Sequence, residues 1–238
     1  MRRLKVLVVI PAYNEEESVA SVIEEIRLIN KEYDIVVVDD GSTDRTFEKA
    51  SSMGVTILRL PINLGIGAAV QTGFQYALRR DYDVVVQVDA DGQHDPRFIA
   101  DLVQPIESSQ ADAVIGSRFL GGLGYRSTWP RRLGIVIFSI VNSSIVGQRI
   151  TDNTSGFRAY SRKAFGYLAE CYPSDYPEPE TIILLGKRKF RMLEKPVEMR
   201  RRMGGRSSIS TAKSIYYMVK VLLSIGVDLL KTNKEEQQ

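Results

Sequence analysis

Short apolar runs, most of them rich in valine, recur along the first half of the chain. Each closes on acidic, amide or glycine residues and is followed by a segment whose apolar positions repeat every three or four residues. Residues 4–10 predict a buried strand, and Pro11-Ala12-Tyr13-Asn14-Glu15 a turn into a helix over about 16–30 with Val19, Val22, Ile23 and Ile26 on one face. Ile35-Val36-Val37-Val38 predicts a second strand ending in Asp39-Asp40-Gly41-Ser42-Thr43-Asp44, where Ser42, Thr43 or Asp44 can cap a helix of about 44–53. A third strand over 55–60 leads through Asn63-Leu64-Gly65-Ile66-Gly67 into a helix over 68–80. The run over 83–89 predicts a strand buried on both faces, followed by a helix over 96–108 and a strand over 113–116. This alternation predicts an α/β fold with a mostly parallel sheet, right-handed crossovers and helices on both faces.

Open sheets of this kind bind ligands beyond the carboxyl ends of their strands. Here those ends carry Pro11 to Glu15, Asp39 to Ser42, Asn63 to Gly67, Asp89 to His94, and Ser117-Arg118. In Asp89-Ala90-Asp91-Gly92-Gln93-His94, two carboxylates are followed by an amide and an imidazole. Such a turn can grip a hard divalent cation and leave positions open for phosphate oxygens.

After about residue 120 the rhythm is lost. Gly121-Gly122-Leu123-Gly124 reads as a loop, 133–146 as a helix apolar on nearly every face, and 151–158 as a polar loop. Pro177-Glu178-Pro179-Glu180 opens a helix with two carboxylates at its positive end. A strand or arm over about 190–201 follows, then Gly205-Arg206-Ser207-Ser208, an apolar helix over about 211–230 and a polar tail over 231–238.

Composition narrows the field. A chain of 238 residues, 44% hydrophobic and 26% charged, suits one substantial core, and a net charge of +3 is too mild to argue for nucleic acid. Basic charge is instead concentrated over 187–206, which suits phosphates or an anionic membrane surface. A single cysteine, Cys171, and a single histidine, His94, exclude an intramolecular disulfide and the usual zinc sites, and fit a reducing cytoplasm. The apolar run near the amino terminus is too short for a signal peptide, and no window reaches the roughly 20 apolar residues of a membrane span.

Six motifs, in order, carry a family resemblance: Pro11-Ala12-Tyr13-Asn14-Glu15, Val38 to Asp44, Asn63-Leu64-Gly65, Asp89 to His94, Gly116-Ser117-Arg118-Phe119 and Thr154-Ser155-Gly156-Phe157-Arg158. Together they resemble the family 2 glycosyltransferases of GT-A fold, and within them the polyprenyl-phosphate (dolichol-phosphate) mannosyl- and glucosyltransferases. The resemblance covers about 4–210, and implies a nucleotide-sugar half over 1–118, an acceptor half over 119–210 and an appended helix and tail over 211–238. It implies that Asp39 hydrogen-bonds the nucleobase while Pro11, Tyr13, Glu15 and Gly65 wall the nucleotide. Asp91, with Asp89 and Gln93, would hold Mg²⁺ or Mn²⁺ against the diphosphate of a UDP-, GDP- or dTDP-hexose. Arg118, Arg131 and Arg202 are candidates for the leaving group or an acceptor phosphate, because guanidinium forks match phosphate oxygens.

The chain departs from this pattern on the acceptor side. Where relatives commonly show Gly-x-Ser-Lys, it has Gly205-Arg206-Ser207-Ser208, so Arg206 and Ser207 become the acceptor-phosphate candidates. A polyprenyl phosphate needs no strong base; a sugar hydroxyl on a lipid-linked glycan would, and Glu178 or Glu180 is placed to serve. The expected activity is inverting hexosyl transfer at the cytoplasmic face, with peripheral membrane contact through 126–146 and 211–230. Other classes fit less well. Gly65-Ile66-Gly67 has Val70 at the third fingerprint position and follows the wrong strand for a Rossmann dehydrogenase. No nucleophile elbow marks a hydrolase, and Pro11 to Glu15 is not the glycine-rich loop of a nucleotidyltransferase. A non-catalytic binding or scaffold protein of the same fold is the rival from another class; intact Asp39, Asp89 and Asp91 speak against it.

Overall fold

Strand β1 (Val6–Ala12) is buried along its whole length and lies inside the sheet. It pairs in parallel with β2 (Asp34–Asp39) on one side and β4 (Val84–Gln87) on the other. The structure is a computed structural model describing residues 4–120, 139, 143, 146–174 and 177–203, all within one compact unit, Met1–Gly205. Among the described residues seven strands form one sheet in the order β3-β2-β1-β4-β6-β5-β7, with β3 at Thr56–Arg59, β5 at Ala113–Ser117, β6 at Arg158–Ser161 and β7 at Met192–Pro196.

Alternation along β1 divides the core. Val6, Val8 and Ile10 point to one face, where α1 (Val19–Ile29) and α4 (Ile99–Glu107) lay down Val22, Ile23, Ile26, Leu102 and Ile106. Leu7 and Val9 point to the other, against Val70 and Phe74 of α3 (Ile66–Arg79), Phe165 and Leu168 of α5 (Arg162–Cys171), and Ile182 and Leu185 of α6 (Pro177–Lys187). A strand covered on both faces needs no polar side, which is why β1, β2 and β4 read as unbroken apolar runs. Each fully buried Val, Leu or Ile contributes about 1.5–3 kcal/mol. The short α2 (Thr46–Ser52) begins two residues later than expected, with Arg45 rather than Ser42, Thr43 or Asp44 at the cap position; Asp44 Oδ1 accepts from Thr46 N at 2.9 Å in the turn before it.

Three expectations change. The strand over 83–89 ends at Gln87: Val88 N still donates to Val9 O (3.0 Å), but Asp89 N leaves the ladder for His94 Nδ1. The arm over 190–201 shortens to β7; beyond it Met199 forms a bridge with His94, and Arg200 N donates to Gln93 O at 2.9 Å. The polar loop at 151–158 runs directly into β6, which inserts antiparallel between β4 and β5 and is followed by α5. Arg158-Ala159-Tyr160-Ser161 carries no apolar run, and becomes a strand because two neighbouring strands offer it ladder partners.

Within the expected helix over 133–146, described positions 139, 143 and 146 are helical, and the Ser139 and Ser143 hydroxyls donate to the Ile150 carbonyl. The loop at 121–124, Arg126, Arg131, Arg132, the turn at 205–208, the helix over 211–230 and the tail lie outside the described residues. Among those described, no helix is long and apolar enough to cross a membrane.

Candidate active site

The carboxyl ends of β2, β1 and β4 lie side by side, so one rim holds Asp39, the turn at 11–15 and the turn at 89–95. With β1 between them, the ends of β2 and β4 stand two strand spacings apart, about 10 Å. That is the span over which a nucleoside diphosphate could reach from one to the other.

Asp39 is fully buried. Its Oδ1 accepts from Ser42 N at 3.0 Å, and its enclosed Oδ2 is ion-paired with Arg59 Nε at 3.2 Å. The next residue faces the other way. Asp40 accepts from Leu64 N and Gly65 N, both at 2.8 Å, and so clamps the Asn63 to Gly67 loop beside Asp39. Burial raises the Asp40 carboxyl above its usual range, and these two N–H groups oppose the shift. The turn after β1 is tied to the turn after β2 through Asn14 N to Ser42 Oγ (3.0 Å) and Thr43 N to Asn14 Oδ1 (2.9 Å). Pro11 is buried at the end of β1, whereas the Tyr13 ring is 42% exposed at the opening.

At the β4 end, the Asp89 side chain is 30% exposed and Asp91 is buried. Asp91 Oδ1 accepts from Gln93 N at 3.0 Å. Burial raises both carboxyls above their usual range, and the Asp89 charge adds to the rise at Asp91. Two hard oxygen donors beside one opening fit a Mg²⁺ or Mn²⁺ ion whose remaining ligands are phosphate oxygens and water. No group of three or more His, Cys, Asp or Glu among the described residues could cage a metal without a ligand's help. The Gln93 side-chain amide is directed to the Arg200 carbonyl at 3.5 Å. His94, expected beside the cation ligands, is instead buried with its two ring nitrogens turned toward Asp89.

Arg202 is brought to this turn from far along the chain. Its guanidinium pairs with Glu15 and lies 3.3 Å from Asp91 Oδ2, and Met203 N donates to Asp91 O at 3.0 Å. Burial raises the Glu15 carboxyl, and Arg202 opposes that rise. Arg118, at the end of β5, is gripped by buried Asp152: Nε to Oδ2 and Nη2 to Oδ1, both at 2.7 Å, with Nη2 also donating to Thr154 Oγ1 at 2.6 Å. Burial would raise Asp152, but this guanidinium holds it below the usual carboxylate range. Glu194 of β7 fixes the same loop by accepting from Thr151 N (2.9 Å) and Asp152 N (2.8 Å).

Glu178 and Glu180 occupy the first turn of α6, as expected. Burial raises the Glu178 carboxyl, and the Arg158 guanidinium opposes the rise. Arg131, Arg206 and Ser207 lie outside the described residues. Sequence reasoning gave no role to Asp40, Asp152 or buried Arg158, although the first and last fall in its motifs. Asp40 was detectable, since residues adjacent on a strand face opposite ways; the partners of Asp152 and Arg158 lie in other elements and left no local signal.

Residues 7–168 match the family described as Glycosyl transferase family 2. The chain belongs to glycosyltransferase family 2. This family 2 chain is 31% identical over 214 residues to a UDP-N-acetylglucosamine–dolichyl-phosphate N-acetylglucosaminyltransferase of Methanococcus voltae, covering 81% of the chain and 84% of the relative. It is 37% identical over 164 residues to an undecaprenyl-phosphate mannosyltransferase of Micrococcus luteus, covering 66% of each. Its fold is that of glucosyl-3-phosphoglycerate synthase from Mycobacterium tuberculosis, solved in complex with Mn²⁺, UDP-glucose and phosphoglyceric acid. The TM-score is 0.68 at 22% identity, covering 93% of this chain and 78% of that one. The α/β architecture is therefore the GT-A fold expected from the motifs.

Proposed function

We propose that this chain transfers a hexosyl group from a nucleotide sugar to a polyprenyl phosphate or a lipid-linked glycan, with inversion and with a divalent cation bound. The observation that carries the reading is the shared rim: the buried carboxylate of Asp39 and the carboxylates of Asp89 and Asp91, separated by one strand. The dolichyl- and undecaprenyl-phosphate acceptors named for the two relatives favour the lipid phosphate.

The Asp39 carboxylate accepts an N–H of the nucleobase, and exposed Tyr13 flanks the base and ribose. Asp89 and Asp91 would hold Mg²⁺ or Mn²⁺, which when bound would supply Lewis-acid positive charge to the leaving diphosphate. An acceptor phosphate oxygen attacks the anomeric carbon from the face opposite the leaving group. The bond from that carbon to the diphosphate oxygen breaks, and the nucleoside diphosphate leaves with the electron pair. Arg202 and Arg118 supply positive charge where phosphate oxygens gather. The anionic acceptor loses no proton, so Glu178 and Glu180 are needed as a base only for a sugar hydroxyl.

The test is binding and transfer with UDP-, GDP- and dTDP-hexoses, Mn²⁺ and a short polyprenyl phosphate. One donor should bind with Mn²⁺ and yield a glycosyl-phospholipid; Asp91→Ala should lower turnover by roughly 10²–10³-fold while keeping the wild-type circular dichroism spectrum. Full turnover in Asp91→Ala, or binding without transfer to any acceptor, would end this reading.

A further inference from the structure

The histidine of the metal turn has no free face. His94 is buried, its ring stacks on fully buried Phe157 with centroids 4.8 Å apart and planes 10° apart, and its backbone bridges to Met199. Its Nδ1 accepts the Asp89 backbone N–H at 3.0 Å. That bond fixes the tautomer, because an Nδ1 that accepts carries no proton and the neutral ring then bears its hydrogen on Nε2. Nε2 stands beside Asp89 Oδ2 at 3.6 Å, longer than a hydrogen bond. One rigid ring thus spans residue 89 from main chain to carboxylate.

The rest of the Asp89 carboxylate is bracketed as well. Gln87 Nε2 donates to Oδ1 at 3.5 Å, and a Cβ at Gly156 would stand only 3.3–3.4 Å from the two carboxylate oxygens. The site at which Asp89 leaves the β4 ladder is the site the imidazole occupies: the N–H that would have continued the strand is redirected to the ring.

We infer that His94 is a positioning residue for the cation site: a neutral ring that fixes the backbone of Asp89 through Nδ1, walls its carboxylate, and through both sets the affinity for the divalent ion, without itself being a ligand. This rests on the cation reading proposed above. It also explains why the imidazole of this turn faces inward, against residue 89, five positions back.

The experiment uses the full chain and reads Mn²⁺ binding by the electron paramagnetic resonance of the free ion, with UDP or GDP present, alongside nucleotide affinity in EDTA. His94→Phe keeps the stacked ring but loses both polar ends. It should weaken Mn²⁺ binding by about 10–100-fold, the range seen when groups behind a metal ligand are removed, with nucleotide affinity in EDTA unchanged. His94→Asn retains an acceptor for the Asp89 N–H and His94→Gln a donor toward its carboxylate, so each should fall between wild type and His94→Phe. Val86→Ala, a destabilised control in the same strand, should keep wild-type Mn²⁺ affinity. Wild-type Mn²⁺ affinity in His94→Phe, or an equal loss in Val86→Ala, overturns the inference. If His94→Phe does not fold, wild-type affinity in both polar variants overturns it and graded losses support it. A wild-type chain that binds nucleotide but no Mn²⁺ overturns the cation reading itself, and this inference with it.

Discussion

Neighbouring carboxylates in this chain do different work because a strand turns successive side chains to opposite faces. Asp39 sits at the rim, bonded by Ser42 N and paired with Arg59, while Asp40 spends both oxygens on the Leu64 and Gly65 N–H groups. His94 shows the same dependence on surroundings. Burial lowers its pKa from the ordinary 6.5 to about 4. Between those values the unfolded chain binds a proton that the folded chain refuses, so this contribution to stability is complete above about pH 6.5 and fades as pH falls toward 4. The stability gap between wild type and His94→Gln should therefore shrink by roughly 2–3 kcal/mol on going from pH 7.5 to 4.5, measured by denaturant unfolding. A gap independent of pH would contradict a buried neutral imidazole.

At the scale of elements, the loops after the strands are held by backbone geometry as much as by side chains. Gly41 has φ +69°, and a Cβ there would lie 2.6 Å from the Ile62 carbonyl carbon and 2.7 Å from Asn63 N. Gly54 has a similar φ of +64° but open space around it. Alanine brings the same left-handed strain to both positions, so the difference between them isolates the steric term. Gly41→Ala should cost about 1–3 kcal/mol more than Gly54→Ala in denaturant unfolding, and should also weaken nucleotide binding; equal losses would refute the close packing of the two loops. The strands that feed these loops were legible as apolar runs closed by polar turns. β6 and α5 were not, because four residues headed by an arginine offer no apolar run, and β6 exists only between β4 and β5.

Across the whole molecule, one buried guanidinium ties the acceptor-side segments together. Arg158 donates to the carbonyls of Ser155 (2.7 Å), Glu178 (2.8 Å) and Asn153 (3.2 Å), linking the loop before β6 to the first turn of α6. Arg158→Met fills much of the volume but withdraws every donor. It should destabilise the protein by roughly 3–5 kcal/mol, since buried acceptors lose their partners. A loss under about 1 kcal/mol would show that the link is dispensable. The segment at 199–203 makes a comparable long-range tie, laying Arg200 and Met203 along the turn at 91–93 and delivering Arg202 to Glu15 and Asp91.

The sequence by itself determined where strands run and stop, and therefore which acids would lie on the rim: apolar periodicity and turn chemistry are local, and they are written within a few residues of each strand end. The tertiary structure alone decided which side chains meet. The pairing of Arg118 with Asp152, the reach of Arg202 across the site, the stacking of His94 on Phe157 and the antiparallel insertion of β6 join segments tens to more than a hundred residues apart. Such contacts depend on how buried faces and unsatisfied backbone groups find partners once the sheet has assembled, and no stretch of the chain encodes them alone.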